Sequence, residues 1–185
     1  MVIVVNKMAR RRVVDTAAIS ELALDDSNVI PLWYGESDKP TPRFICDAAA
    51  AALAAGETFY THKRGIPQLR EALVRYTASV YGSDVKLDRI TVTSSGMTAI
   101  MIAIQVLIDP GDRVVLVGPV WPNAKAAVEV IGGDGHQLPL EFDNQGWHLD
   151  LDKLFAACTA NTRAIFINSP GNPTGWMMSA KEQRA

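Results

Sequence analysis

The sequence predicts an α/β domain with a mostly parallel sheet and helices on both of its faces. One observation is the alternation of strand-like and helix-like segments between residues 89 and 167. Another is the continuous β-branched run at residues 113–117, which is typical of a strand buried on both faces. Hydrophobic residues make up 48% of the chain and the formal net charge is −2, so we expect one sizeable core and no nucleic-acid-binding surface.

Two helices precede this alternation. Residues 48–55 are rich in alanine, which has the highest helix propensity, and the helix is expected to begin after Pro42 and end at Gly56. A second, amphipathic helix is expected to end near Gly82. Its apolar residues recur at helical spacing and are Leu69, Leu73, Tyr76 and Val80.

The alternating part of the chain predicts the order of the remaining elements. We expect strands at residues 89–93, 113–117, 137–140 and 163–167, and helices at residues 97–108, 123–131 and 151–157. The strands at 113–117 and 163–167 are expected to be buried. Residues 1–47 are expected to form an N-terminal arm and part of a smaller domain, and residues 48–185 the first part of the large domain.

Function is expected in the loops that follow the strands, because ligands of parallel sheets bind beyond the carboxyl ends of the strands. Three such loops, at residues 94–98, 118–123 and 168–175, are rich in polar and turn-forming residues. In the first, hydroxyls, a glycine and helix N-terminal amides are suited to hold a phosphate. The same residues also fit a helix N-cap made by Ser94 or Ser95.

The second and third loops carry an aromatic ring and an amide. Trp121 stands between prolines, where its flat face is suited either to stack on a heteroaromatic ring or to anchor the loop in the core. Two prolines and two glycines restrict the backbone of residues 168–175, which would position the Asn172 amide as a hydrogen-bond donor. Neither the G-x-G-x-x-G fingerprint nor a Walker A motif occurs in the sequence.

The two cysteines, Cys46 and Cys158, lie far apart and outside any metal-ligand spacing, as in a protein of a reducing compartment. No apolar run reaches eighteen residues, the length of a membrane-spanning helix. We therefore expect a cytoplasmic protein with no metal site and with neither nucleic acid nor membrane as a partner.

Five segments together resemble the class I/II aminotransferase family, the fold type I enzymes that depend on pyridoxal 5'-phosphate (PLP). The string SPGNPTG at residues 169–175 is similar to the Asn-Pro-Thr-Gly signature of the family. The other four are GESDKPTP (35–42), YTHKRGIPQLREAL (60–73), ITVTSSGMTAI (90–100) and DPGDRVVLVGPVWP (109–122). They stand in family order, and the resemblance extends from about residue 28 to residue 185.

The resemblance implies a role for particular residues. The PLP phosphate would be held by Ser95, Gly96 and Met97, and the pyridine ring by stacking on Trp121 and a hydrogen bond from Asn172 to its 3' oxygen. Met97 departs from the smaller polar or basic residues common in the family, so its contact is expected through the backbone amide. Tyr60 would reach the cofactor of a partner subunit, which implies a homodimer. The substrate-binding residues would be Gly35, Trp121 and Asn172.

The implied activity is transfer of an amino group between an amino acid and a 2-oxo acid. In the family the Schiff-base lysine, the aspartate at the pyridine nitrogen and the arginine for the substrate carboxylate lie beyond the Asn-Pro-Thr-Gly loop. We therefore assign no catalytic residue, and we expect the 185-residue chain alone to be inactive. The alternatives are a PLP-dependent C–S lyase or decarboxylase, a non-catalytic aminotransferase-like binding domain and a nucleotide-binding α/β protein.

Overall fold

The computed structural model describes residues 21–185, which fall into two compact units, residues 21–93 and residues 94–185. Residues 1–20 of the predicted arm lie outside the described part of the chain. The predicted domain boundary near residue 48 stays a prediction. No helix within residues 21–185 combines the length and the apolar character needed to cross a membrane.

The unit at residues 21–93 contains both early helices that the sequence predicts. Helix α1 (Arg43–Ala54) follows Pro42, and helix α2 (Pro67–Tyr81) has proline in its first turn, where the missing N–H costs nothing. Gly82 ends α2 with a φ of 64°, a left-handed conformation that glycine adopts without strain.

The strand predicted at residues 89–93 is wrong, because side-chain and loop partners take its backbone groups. The buried guanidinium of Arg70 donates from Nε to the Ile90 carbonyl at 3.0 Å and from Nη2 to the Leu87 carbonyl at 2.5 Å. The N–H of Val92 donates to the Arg64 carbonyl at 3.0 Å. Residues 87–89 therefore form one turn of 3-10 helix, and the residues after it pair with no strand of the described chain.

The unit at residues 94–185 is built on a three-stranded parallel sheet in the order β2-β1-β5. The strands are β1 (Arg113–Gly118), β2 (Asp134–Pro139) and β5 (Thr162–Phe166). The helices are α3 (Gly96–Leu107), α4 (Pro122–Val130) and α5 (Leu151–Ala157), each within a few residues of its predicted position.

Successive side chains of β1 point into two separate cores, as the alternation of a strand requires. Val114 and Leu116 pack with residues of α3 and α4 on one face of the sheet. Val115 and Val117 pack on the other face with Leu154 of α5 and with Trp176. Helices therefore cover both faces, which agrees with the predicted three-layer α/β architecture.

Strand β5 is only half buried, although the sequence predicts a buried strand there. Among the described strands β5 lies at an edge of the sheet, with β1 as its one neighbour. Ala164 and Phe166 pack against the α3/α4 core, whereas the side chain of Ile165 is 42% exposed. The apolar run therefore predicts the strand correctly, but it does not predict how much of the strand is buried.

An antiparallel hairpin, which the sequence analysis leaves unassigned, follows β2. Its strands are β3 (Glu141–Asp143) and β4 (Gly146–His148), and Gly146 has a φ of 101° at the turn. Lys153 at the start of α5 forms an ion pair with Glu141. The hydrogen bond between these two side chains, together with their opposite charges, lowers the pKa of the Glu141 carboxyl and raises the pKa of the Lys153 amine.

Replacing Gly65 by alanine is expected to lower the free energy of unfolding by about 2–5 kcal/mol, through backbone strain and overpacking together. Gly65 has a φ of 98°, and an added Cβ would lie 2.8 Å from Cβ of Val92. Gly56 has a φ of 78° but open space around its Cα, so Gly56→Ala should lose only about 1–2 kcal/mol. Urea unfolding of both variants checks this, and equal losses would contradict the packing argument.

Candidate cofactor site

The first loop of the site leads into helix α3. The helix N-cap, which the sequence predicts at Ser94 or Ser95, is present in the structure. Ser95 Oγ accepts the N–H of Thr98 at 3.1 Å and lies 3.0 Å from its hydroxyl, and Ser94 Oγ lies 3.1 Å from the same hydroxyl. Ser95 is therefore the N-cap of α3, which fixes where the helix begins. Capping and phosphate binding are compatible, because the cap satisfies the third amide of the helix and leaves the first two.

Those first two amides belong to Gly96 and Met97. Within residues 21–185 neither N–H has a hydrogen-bond acceptor. The side chain of Met97 packs against the α3/α4 core, so Met97 offers only its backbone to a ligand. Two unpaired N–H groups at the positive end of a twelve-residue helix are suited to bind an anion.

The second loop follows β1 and places Trp121 directly before α4. Pro122 occupies the first turn of that helix. The backbone N–H of Trp121 donates to the Asn172 carbonyl at 2.9 Å, and Val120 forms a single antiparallel bridge with Pro173. The structure therefore joins the second and third loops, as expected for segments that follow neighbouring parallel strands. The side chain of Trp121 is half-buried, so part of its ring remains accessible.

Most polar side chains of the third loop, residues 168–175, accept backbone N–H groups of the loop or of the residues that follow it. Asn168 Oδ1 accepts the N–H of Asn172 at 2.9 Å, and Ser169 Oγ accepts the N–H of Met178 at 2.8 Å. Thr174 Oγ1 accepts the N–H of Trp176 at 3.2 Å. The side-chain amide of Asn172 is exposed and has no hydrogen-bond partner in the described part of the chain.

Gly171 allows this loop to fold tightly. An added Cβ at Gly171 would lie 2.8 Å from Thr174 Oγ1 and 3.3 Å from the Asn168 carbonyl oxygen. The N–H of Gly171 donates to the Trp176 carbonyl at 2.8 Å, while its carbonyl accepts the N–H of Gly175 at 2.7 Å. The peptide bonds before Pro119, Pro170 and Pro173 are cis.

Two of the predicted site residues, Gly35 and Tyr60, belong to the unit at residues 21–93. Both are exposed, and Tyr60 is fully so. The other five, Ser95, Gly96, Met97, Trp121 and Asn172, belong to the unit at residues 94–185. Trp121 and Asn172 are joined directly, and the three others begin the helix that packs beside α4.

The residues of the larger unit match the chemistry of PLP. Two unpaired amides suit a phosphate, an accessible indole face suits a flat ring, and an unpaired amide suits an oxygen acceptor on that ring. Asn168, whose side chain accepts the Asn172 N–H, is not among the site residues predicted from the sequence, because nothing in a sequence distinguishes a loop asparagine that bonds a nearby backbone amide. Residues 21–185 contain no cluster of three His, Cys, Asp or Glu side chains suited to a metal ion.

Comparison with curated proteins gives relatives of one activity class. The chain is 36% identical over 168 residues to a probable aspartate aminotransferase of Methanocaldococcus jannaschii, covering 90% of this chain and 44% of the relative. It is 36% identical over 158 residues to the aspartate/prephenate aminotransferase of Thermus thermophilus, covering 84% of this chain and 40% of the relative. The chain therefore spans less than half the length of these relatives.

Comparison with solved structures shows that the fold is also that of aminotransferases. The N-succinyldiaminopimelate aminotransferase of Mycobacterium tuberculosis superposes with a TM-score of 0.88 at 32% identity, over 97% of this chain and 47% of that one. The aspartate aminotransferase of Rhizobium meliloti superposes with a TM-score of 0.87 at 30% identity, over 100% and 47%. These likenesses confirm the predicted fold type I architecture as an incomplete large domain.

The sequence model of the family described as aminotransferase class I and II matches residues 27–185. The match includes every segment on which the resemblance was based. The chain belongs to the class I and II aminotransferase family.

Proposed function

We propose that this chain supplies the PLP-binding loops of an aminotransferase, an enzyme that passes an amino group between an amino acid and a 2-oxo acid. The observation that carries the proposal is the pairing within the third loop. Asn168, Ser169 and Thr174 all bond the backbone, while the Asn172 side-chain amide has no partner within residues 21–185. A rigid loop that leaves one amide free is suited to a ligand with a hydrogen-bond acceptor.

Each residue has a proposed role. The amides of Gly96 and Met97, with the Ser95 hydroxyl, hold the phosphate at the N-terminus of α3. Trp121 stacks on the pyridine ring, and Asn172 donates to the 3' oxygen, where it stabilises negative charge. PLP, when bound, supplies the electron sink of the reaction, and the protein orients it.

The roles that reach beyond the larger unit are also proposals. Gly35 lies near the substrate carboxylate, and Tyr60, whose side chain is fully exposed, reaches the phosphate in a partner subunit of a cytoplasmic homodimer. In the family the lysine that holds the cofactor follows the Asn-Pro-Thr-Gly loop. We therefore propose that residues 1–185 alone do not transaminate.

Transamination is expected when the full-length protein is incubated with PLP, an amino acid donor and a 2-oxo acid acceptor. Aspartate is the first donor to test, since relatives are named for it. Chromatography of both products checks the reaction. Release of ammonia and a 2-oxo acid without any acceptor would indicate a lyase instead. Absence of a bound-PLP absorbance band would contradict the whole proposal, and its presence would exclude a nucleotide-binding protein.

Asn172→Ala is expected to lower kcat/KM by roughly 10- to 100-fold, the loss of one hydrogen bond to a charged group. The matched control is Asn144→Ala, since Asn144 is an exposed asparagine of the β3–β4 turn. Steady-state kinetics with saturating PLP checks both variants. Equal activity of Asn172→Ala and the control would remove Asn172 from the site.

A further inference from the structure

Asn168 makes a contact to which the family resemblance assigns no role. It lies two residues after β5, is half-buried, and accepts the N–H of Asn172 through its side-chain Oδ1 at 2.9 Å. This bond closes the backbone between residues 168 and 172 into a ring. Asn172, at which the ring closes, carries the side-chain amide proposed to bind the cofactor.

Asn172 is held from both sides of its backbone. Its N–H is bound by Asn168, and its carbonyl accepts the N–H of Trp121 at 2.9 Å. One continuous set of bonds therefore runs from the end of β5, through Asn168 and Asn172, to Trp121 after β1.

Within residues 21–185 the Asn172 N–H has Asn168 Oδ1 as its single hydrogen-bond acceptor. Because Asn172 is exposed, water can replace a lost Asn168 oxygen. Removing that oxygen should therefore cost the loop its fixed position while the fold persists.

We infer that Asn168 is a positioning residue, which orients the Asn172 amide toward the 3' oxygen of the PLP ring. The inference rests on the proposed function. Because Asn168 acts through the Asn172 amide, we expect a change at Asn168 to alter PLP binding only when that amide is present. A residue that only stabilised the loop would act equally whether or not the Asn172 amide were present.

A double-mutant cycle in the full-length protein tests this condition. Asn168→Ala is expected to raise the Kd for PLP by roughly three- to tenfold, the loss of one neutral hydrogen bond, and to shift the pH at which the absorbance of the bound cofactor titrates. In an Asn172→Ala background the same change should alter the Kd by less than about twofold. Equal changes in both backgrounds, or no change in either, would overturn the inference.

Two further variants separate positioning from folding. Asn168→Asp keeps the acceptor oxygen and should restore the PLP Kd, whereas failure to restore it would count against the inference. Ser169→Ala removes a side-chain-to-backbone bond of the same loop that does not reach Asn172. It should lower Tm without shifting the absorbance titration, and a shift as large as that of Asn168→Ala would overturn the inference. An unmodified protein without a bound-PLP band would instead overturn the proposed function.

Discussion

Burial of strand β1 from Val114 onward is the constraint on which the unit at residues 94–185 depends. Val114, Val115 and Leu116 are wholly inaccessible to solvent, so both faces of the strand must be covered and both its edges must be paired. A parallel neighbour on each side satisfies the edges, and helices satisfy the faces. The carboxyl ends of β1 and β5 then meet at one edge of the sheet, which brings the loops of Trp121 and Asn172 together.

At that edge the two loops stabilise each other through the backbone. The second and third loops are joined by a backbone hydrogen bond from the Trp121 N–H to the Asn172 carbonyl. This bond involves neither of the two side chains. Within the third loop the remaining polar side chains bond main-chain amides. The Asn172 side-chain amide, which has no partner in the described part of the chain, therefore belongs to a preorganised arrangement, which reduces the entropy lost when a ligand binds.

Much of this fold follows from local sequence patterns. The β-branched run before Gly118 predicts β1, and proline and glycine mark the ends of α1 and α2, because these signals act within a few residues. The strand expected at residues 89–93 does not form, because its backbone bonds a residue distant in sequence. The carbonyl of Ile90 accepts a hydrogen bond from the side chain of Arg70, 20 residues earlier in the chain. The half-burial of β5 likewise depends on which neighbours a strand has, and not on its own residues.

The candidate site divides in the same way. Residue types and the family resemblance predict which side chains belong to it, but the bond between Trp121 and Asn172 joins residues 51 positions apart and is visible only in the fold. Met97 illustrates the distinction. Its side chain departs from the family preference, yet it packs into the α3/α4 core, while its amide at the helix terminus has no acceptor among residues 21–185. At this position the side chain packs in the core and the backbone amide is the proposed contact to the phosphate, so an apolar residue is compatible with an anion site.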